Sequence, residues 1–198
     1  MRKIVVLNRI SMDGFFASLN QETWGMDWFV QDPEVDKAVH ELGGDSDTPL
    51  LLLGGVTYRG FERSWVPLLK DPNAPKEMKA VAEELTNMTK VVFSRTLKED
   101  EITWENTKLF HGHLVEEVRK LKQESSADIM IMGSGTIIQQ LANEGLIDEY
   151  VFIVTPVIAG EGKPLFKDVK QFGLKLLETR AFKSGNTVLH YETDKSET

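Results

Sequence analysis

The chain has 198 residues, 31 acidic against 23 basic, a formal net charge of -8 and no cysteine. Without thiolates it builds no disulfide framework, zinc finger, iron–sulfur cluster or thiol nucleophile. The acid excess opposes non-specific binding to nucleic acid, which depends on Lys and Arg displacing condensed counterions, so an anionic ligand must meet local donors.

In chain order, Ile4 to Leu7 is a short apolar run rich in β-branched residues, the pattern of a strand covered on both faces. It stops at Asn8-Arg9, too soon for an exported segment or a membrane span, and a cytoplasmic location is expected. Asp32-Pro33-Glu34 then opens a helix with apolar positions at Val35, Ala38, Val39 and Leu42, and Gly43-Gly44 is placed to close it. Leu50 to Leu53 is a second strand run, leading through Gly54-Gly55 into a helix. Met78, Val81, Ala82 and Leu85 have helical spacing and precede a third run, Val91 to Phe93. Leu114, Val118 and Leu121 mark another helix before the run Ile129 to Met132. A helix from about Thr136 to Glu144 follows, with Ile137, Ile138, Leu141 and Ala142 on its apolar side and Gly145 as its stop. After the strand run Val151 to Val154, the segments Leu174–Phe182 and Thr187–Glu192 flank Ser184-Gly185-Asn186 and read as a hairpin. Alternating strands and helices predict an α/β fold with a mostly parallel central sheet, an antiparallel C-terminal hairpin and helices on both faces. No linker composition divides the chain, so residues 1–198 are expected to form a single domain.

In an open α/β sheet, ligands gather beyond the carboxyl ends of the strands. Three such ends carry suitable chemistry: Gly54-Gly55-Val56-Thr57, Ser94-Arg95-Thr96 and Gly133-Ser134-Gly135-Thr136. Glycine lets the backbone approach a ligand, and free N–H groups opening a helix attract anions. Two hydroxyls around a guanidinium suit a phosphate monoester. Taken singly each is an ordinary turn; together they match the pyrophosphate and 2′-phosphate of NADPH. The standard dinucleotide fingerprint is incomplete, because Ile138 stands where its third glycine belongs, and Gly162-Lys163 is followed by Pro164 instead of a P-loop hydroxyl. His111 and His113 lack a third ligand at metal spacing, and neither His40 nor His190 has a sequence-visible triad partner, so no metal is expected.

These turns, with Ser11-Met12-Asp13-Gly14-Phe15-Phe16-Ala17, Leu53 to Tyr58, Val92 to Thr96, Gly145-Leu146-Ile147-Asp148-Glu149 and Pro156 to Gly162, resemble the dihydrofolate reductase superfamily. The branch they resemble is the reductase domain of bacterial riboflavin biosynthesis and its stand-alone relatives. The resemblance implies a dihydrofolate reductase-like fold, often homodimeric, that uses NADPH to reduce a small heterocyclic substrate of pteridine or pyrimidine type. It places Gly54, Gly55, Thr57, Ser94, Arg95, Thr96, Gly133, Ser134, Gly135 and Thr136 around the cofactor, and Ala17 beside the nicotinamide. It also makes Asp148 and Glu149 structural. One departure is Gly55, where such proteins commonly carry Arg, so a cation expected near the phosphates is missing.

Hydride transfer needs no protein nucleophile; the protein supplies orientation and, where required, a proton. A proton donor is expected to be a carboxyl in a partly apolar pocket, and Asp13, Asp32 and Asp36 are the candidates. Asp36 is also a candidate substrate contact, because folate reductases grip the pterin ring with an acid from the first helix, and Asp13 is a second such candidate. Trp24, Met26, Trp28 and Phe29 crowd the loop before that helix and are read as a lid or stacking wall over a planar substrate, with Trp28 as a substrate contact, core packing or a subunit contact being the plainer alternative. Two rival readings stay open: a nucleotide-binding module without turnover, and a dimeric interaction protein whose glycine turns are only turns.

Overall fold

The computed structural model describes residues 1–42, 49–124 and 127–196. Gly43-Gly44, expected to end the first helix, lie outside the described residues. Eight strands form one sheet: β1 (Ile4–Ser11), β3 (Leu50–Gly54), β4 (Lys90–Phe93), β5 (Thr107–Phe110), β6 (Ile129–Met132), β7 (Glu149–Thr155), β9 (Leu174–Ala181) and β10 (Thr187–Thr193). Their order is β5-β4-β3-β6-β1-β7-β10-β9; the first six run parallel, and the final hairpin is antiparallel. A small second sheet pairs β2 (Phe15–Ala17) with β8 (Lys163–Pro164).

The continuous apolar runs are explained by two-sided burial. Leu50 and Leu52 belong to the core on one face of the sheet, Leu51 and Leu53 to the core on the other, as the period of two requires. The first face is covered by α4 (Leu114–Gln123) and α5 (Gly135–Asn143), which contribute Val118, Ile138 and Leu141. Across the sheet lie α1 (Pro33–Leu42), α2 (Gly55–Trp65) and α3 (Lys76–Asn87), through Val35, Tyr58 and Leu85. The α/β architecture with helices on both faces is therefore as expected.

Helix punctuation follows the residues. Asp32 Oδ1 accepts the Glu34 N–H at 2.9 Å, capping α1. At the end of α5 the Gly145 N–H reaches the Ala142 carbonyl and the Leu146 N–H the Leu141 carbonyl, both at 3.0 Å, with Gly145 at φ 60. This paired closure requires the left-handed conformation that glycine adopts without penalty. Lys90 is fully buried, and its ammonium donates to the carbonyls of Leu85, Thr86 and Met88, closing the C-terminal end of α3 with positive charge. Asp148 and Glu149 are structural. Asp148 Oδ2 accepts the Ile4 N–H at 2.9 Å and pairs with Lys122, while Glu149 holds Lys3 and His190.

Candidate functional site

Because β4, β3, β6 and β1 are adjacent and parallel, their carboxyl ends emerge together, and the three turns singled out in the sequence meet there. Ser134 joins two of them. Its hydroxyl accepts the Gly54 N–H at 2.6 Å and shares a 2.8 Å hydrogen bond with Thr57 Oγ1. A Cβ on Gly54 would lie 2.4 Å from Ser134 Oγ, and one on Gly133 would lie 3.2 Å from Thr57 Cγ2, so these glycines permit the contact. Gly133 (φ 76) and Ser134 (φ 64) both adopt the left-handed conformation. For serine that conformation is strained, and strain of this kind persists where surrounding structure over-determines it. The third turn packs on the first: a Cβ on Gly55 would sit 2.7 Å from Ser94 Oγ. Ser94 Oγ in turn accepts the N–H groups of Thr96 and Leu97.

The helix starts at this junction lack side-chain caps. Neither Gly54 before α2 nor Ser134 before α5 makes a side-chain cap hydrogen bond. Two positive dipole ends with unclaimed N–H groups thus open onto the same end of the sheet, a setting that favours an anion. Arg95 and Thr96 are exposed beside them, and the Arg95 side chain makes no hydrogen bond or ion pair with the described residues. A closely approaching glycine cradle, two uncapped helix starts and an exposed guanidinium fit a multiply charged phosphate cofactor.

Two further residues complete the junction. Asn8, buried in β1, accepts the Gly133 N–H on its Oδ1 at 3.0 Å. Phe16 of β2 packs against the start of α5, so closely that a Cβ on Gly135 would meet its ring at 2.6 Å. Ala17 is buried in the same short strand, between Gly25 and Gly162.

The carboxyls differ from expectation. Asp13 accepts the N–H groups of Ala159 and Gly160 on its two oxygens, at 3.0 and 2.8 Å. These bonds, after one from the Ser11 hydroxyl, hold its pKa down at about 2, so Asp13 is an ionised loop anchor and not the neutral acid sought. Asp32 is likewise held below the ordinary carboxylate range, chiefly by the Ser184 hydroxyl at 2.5 Å, and serves as the α1 cap. The Asp36 side chain is 61% exposed and pairs at 2.7 Å with Arg9 Nη2 from β1, so it too lacks the apolar setting. Of the loop aromatics, Trp24 lies against Gly60 on α2, beneath the Arg63 guanidinium. Trp28 stays with Phe29, ring centroids 4.5 Å apart, and its indole N–H is buried without a partner among the described residues. A buried indole donor left unmet is costly, a cost that a ligand acceptor reaching it would remove.

The chain is 35% identical over 192 residues to the uncharacterised Bacillus subtilis protein YyaP, covering 96% of this chain and 94% of that one. Its fold is similar to that of a candidate riboflavin biosynthesis protein from Shewanella sp. PV-4, with a TM-score of 0.70, 22% identity, and 98% of this chain and 99% of the other covered. It is also similar to Enterococcus faecalis dihydrofolate reductase in complex with NADP(H), at TM-score 0.62, 15% identity, and 98% and 97% coverage. At such identities the two structures speak for the fold alone. The family model for the RibD C-terminal domain matches residues 2–188, and with that span the chain belongs to the RibD C-terminal domain family.

Proposed function

We propose that this protein is an NADPH-dependent reductase that transfers a hydride to a pyrimidine or pteridine ring. The observation that carries the reading is the Ser134 bridge, which draws two uncapped helix starts onto one junction beside Arg95. Membership of the RibD C-terminal domain family supports the same chemistry, and the likeness to dihydrofolate reductase supports the fold that would carry it. In this reading Gly54, Gly55, Thr57, Gly133, Ser134, Gly135 and Thr136 hold the pyrophosphate, while Ser94, Arg95 and Thr96 meet the 2′-phosphate. NADPH, when bound, supplies the hydride. Ala17 and Phe16 border the nicotinamide side, and Trp28 offers its unpartnered N–H to a substrate carbonyl. Asp36 and Arg9 orient the ring's polar edge by a carboxylate and a guanidinium already positioned against each other. A cytoplasmic homodimer is part of the proposal, the dimer supported by exposed Leu174, Leu176 and Leu177 along the edge strand β9.

The solvent exposure of Asp36 favours one rival, a nucleotide-binding module without turnover. One experiment separates the two. The protein is titrated with NADPH by tryptophan quenching, and absorbance of the reduced nicotinamide is then followed with dihydropteridines and aminouracils. Saturable binding with oxidation of NADPH supports the reductase; binding without oxidation across the panel supports the module. Absence of NADPH binding refutes both.

A further inference from the structure

We propose a second ligand site, at the opposite end of the sheet, for a small carboxylate or phosphate monoester carried on an apolar body. Beneath α4, over β5 and the first residues of β3 and β4, lies a cleft of about 440 Å³. Pockets that hold metabolite-sized molecules begin at roughly 300 Å³. Its members Arg2, Leu50, Thr89 and Ala127 stand at the amino ends of parallel strands, whereas Gly54 ends β3 and Ser94 and Gly133 follow the carboxyl ends of β4 and β6. The length of β3, at about 3.3 Å per residue, separates the two ends by about 13 Å.

Arg2 makes this more than a gap in packing. Its side chain is 7% exposed, and its Nε and Nη1 are buried with no hydrogen-bond partner among the described residues. Its one ion pair among the described residues is a 3.5 Å approach of Nη2 to Glu124, whose side chain is 58% exposed. Buried guanidinium donors left unmet are costly, and an anion entering from the cleft supplies the missing acceptors in the paired geometry that arginine prefers. In the bound state proposed here, the guanidinium turns to present those donors to the cleft. Charge at the rim agrees. Lys108 is exposed and makes no ion pair with the described residues, and Lys120 holds Glu117 at 2.7 Å, leaving the lining with three cations against two acids in a chain of net charge -8. The remaining walls, chiefly Val91, Phe110 and Leu121, are apolar. They suit a hydrocarbon or aromatic body more than a bare, strongly hydrated ion.

The full-length protein is titrated calorimetrically with phenyl phosphate, benzoate and, as the neutral counterpart, benzyl alcohol, while methyl resonances of Leu50, Val91 and Leu121 report the location. At least one anionic probe is expected to bind in the millimolar range or tighter and to shift those methyls, with benzyl alcohol about tenfold weaker or worse. Phenyl phosphate alone would identify a phosphate site, benzoate alone a carboxylate site, and both together a general anion site. Arg2→Gln is expected to lose about tenfold or more in affinity, and Lys108→Ala, on the surface, about threefold. Lys108→Ala carries the test if Arg2→Gln fails to fold. The proposal is overturned if neither anion binds, if benzyl alcohol binds equally well, if no folded variant weakens binding, or if NADPH competes with the probe. The first three outcomes leave the reductase reading untouched, whereas competition by NADPH would assign the probe to the cofactor's own site.

Discussion

Arg95→Ala tests the cofactor assignment with little collateral damage. The side chain is exposed and makes no hydrogen bond or ion pair with the described residues, so its truncation should move stability by no more than about 0.5 kcal/mol. A charge-assisted contact with phosphate contributes about 1.5–3 kcal/mol when well desolvated. Exposure lowers that, and about 1–2 kcal/mol is the value expected here, a loss of about 5- to 30-fold in NADPH affinity. NADH has no 2′-phosphate, so its affinity should be unchanged. Fluorescence titration of wild type and variant with both cofactors measures the ratio directly. Equal losses for NADPH and NADH, or no loss for either, would remove Arg95 from the 2′-phosphate and with it the proposed role of the Ser94 turn.

Three other perturbations follow from the same geometry. Gly55→Arg restores the residue common in the superfamily, but its Cβ would stand 2.7 Å from Ser94 Oγ and 2.9 Å from Leu97 Cδ1. It should cost about 1–3 kcal/mol in a denaturant melt without tightening NADPH; tighter binding at unchanged stability would contradict the packing argument. Lys90→Met strips the ammonium from three carbonyls at the end of α3 and should destabilise by about 3–5 kcal/mol, measurable by urea unfolding. The Asp13 pKa lies at about 2, below its ordinary 3.8, so its stabilisation is complete above about pH 4 and is lost as pH falls through about 2. Thermal melts of Asp13→Asn and wild type should therefore converge on acidification, and a gap that stays constant from neutrality to pH 2 would refute the anchor.

The strands buried on both faces were legible because both sets of alternate residues are apolar, as at Leu50 to Leu53. The start of α1 and the stop of α5 were legible because Asp32 and Gly145 signal caps locally. β5 was not, since Thr107–Phe110 lies at the edge of the sheet with every residue partly or fully exposed and reads like a polar connection. β2 and β8 are short, and their pairing bridges Phe15 and Pro164, a contact that no local pattern encodes.

The site divides in the same way. Its turns were visible because each places glycine or hydroxyl after an apolar strand, whereas the partners that fix those turns come from far along the chain. Asp13 illustrates the limit: the two N–H groups that determine its ionisation belong to Ala159 and Gly160. Asn8 and Arg9 show what the missing information does. In sequence they are two polar residues that interrupt an apolar run. In the sheet β1 lies between β6 and β7, and strand alternation sends adjacent side chains to opposite faces. Asn8 therefore reaches the Gly133 turn before α5, while Arg9 reaches Asp36 on α1 across the sheet. Neighbouring residues of one strand thus tie the proposed phosphate cradle and the proposed substrate carboxylate to a single rigid element. In the proposed reductase that element sets the relation between hydride donor and acceptor, and shifting β1 by one residue would send Asn8 and Arg9 to the opposite faces and abolish both contacts.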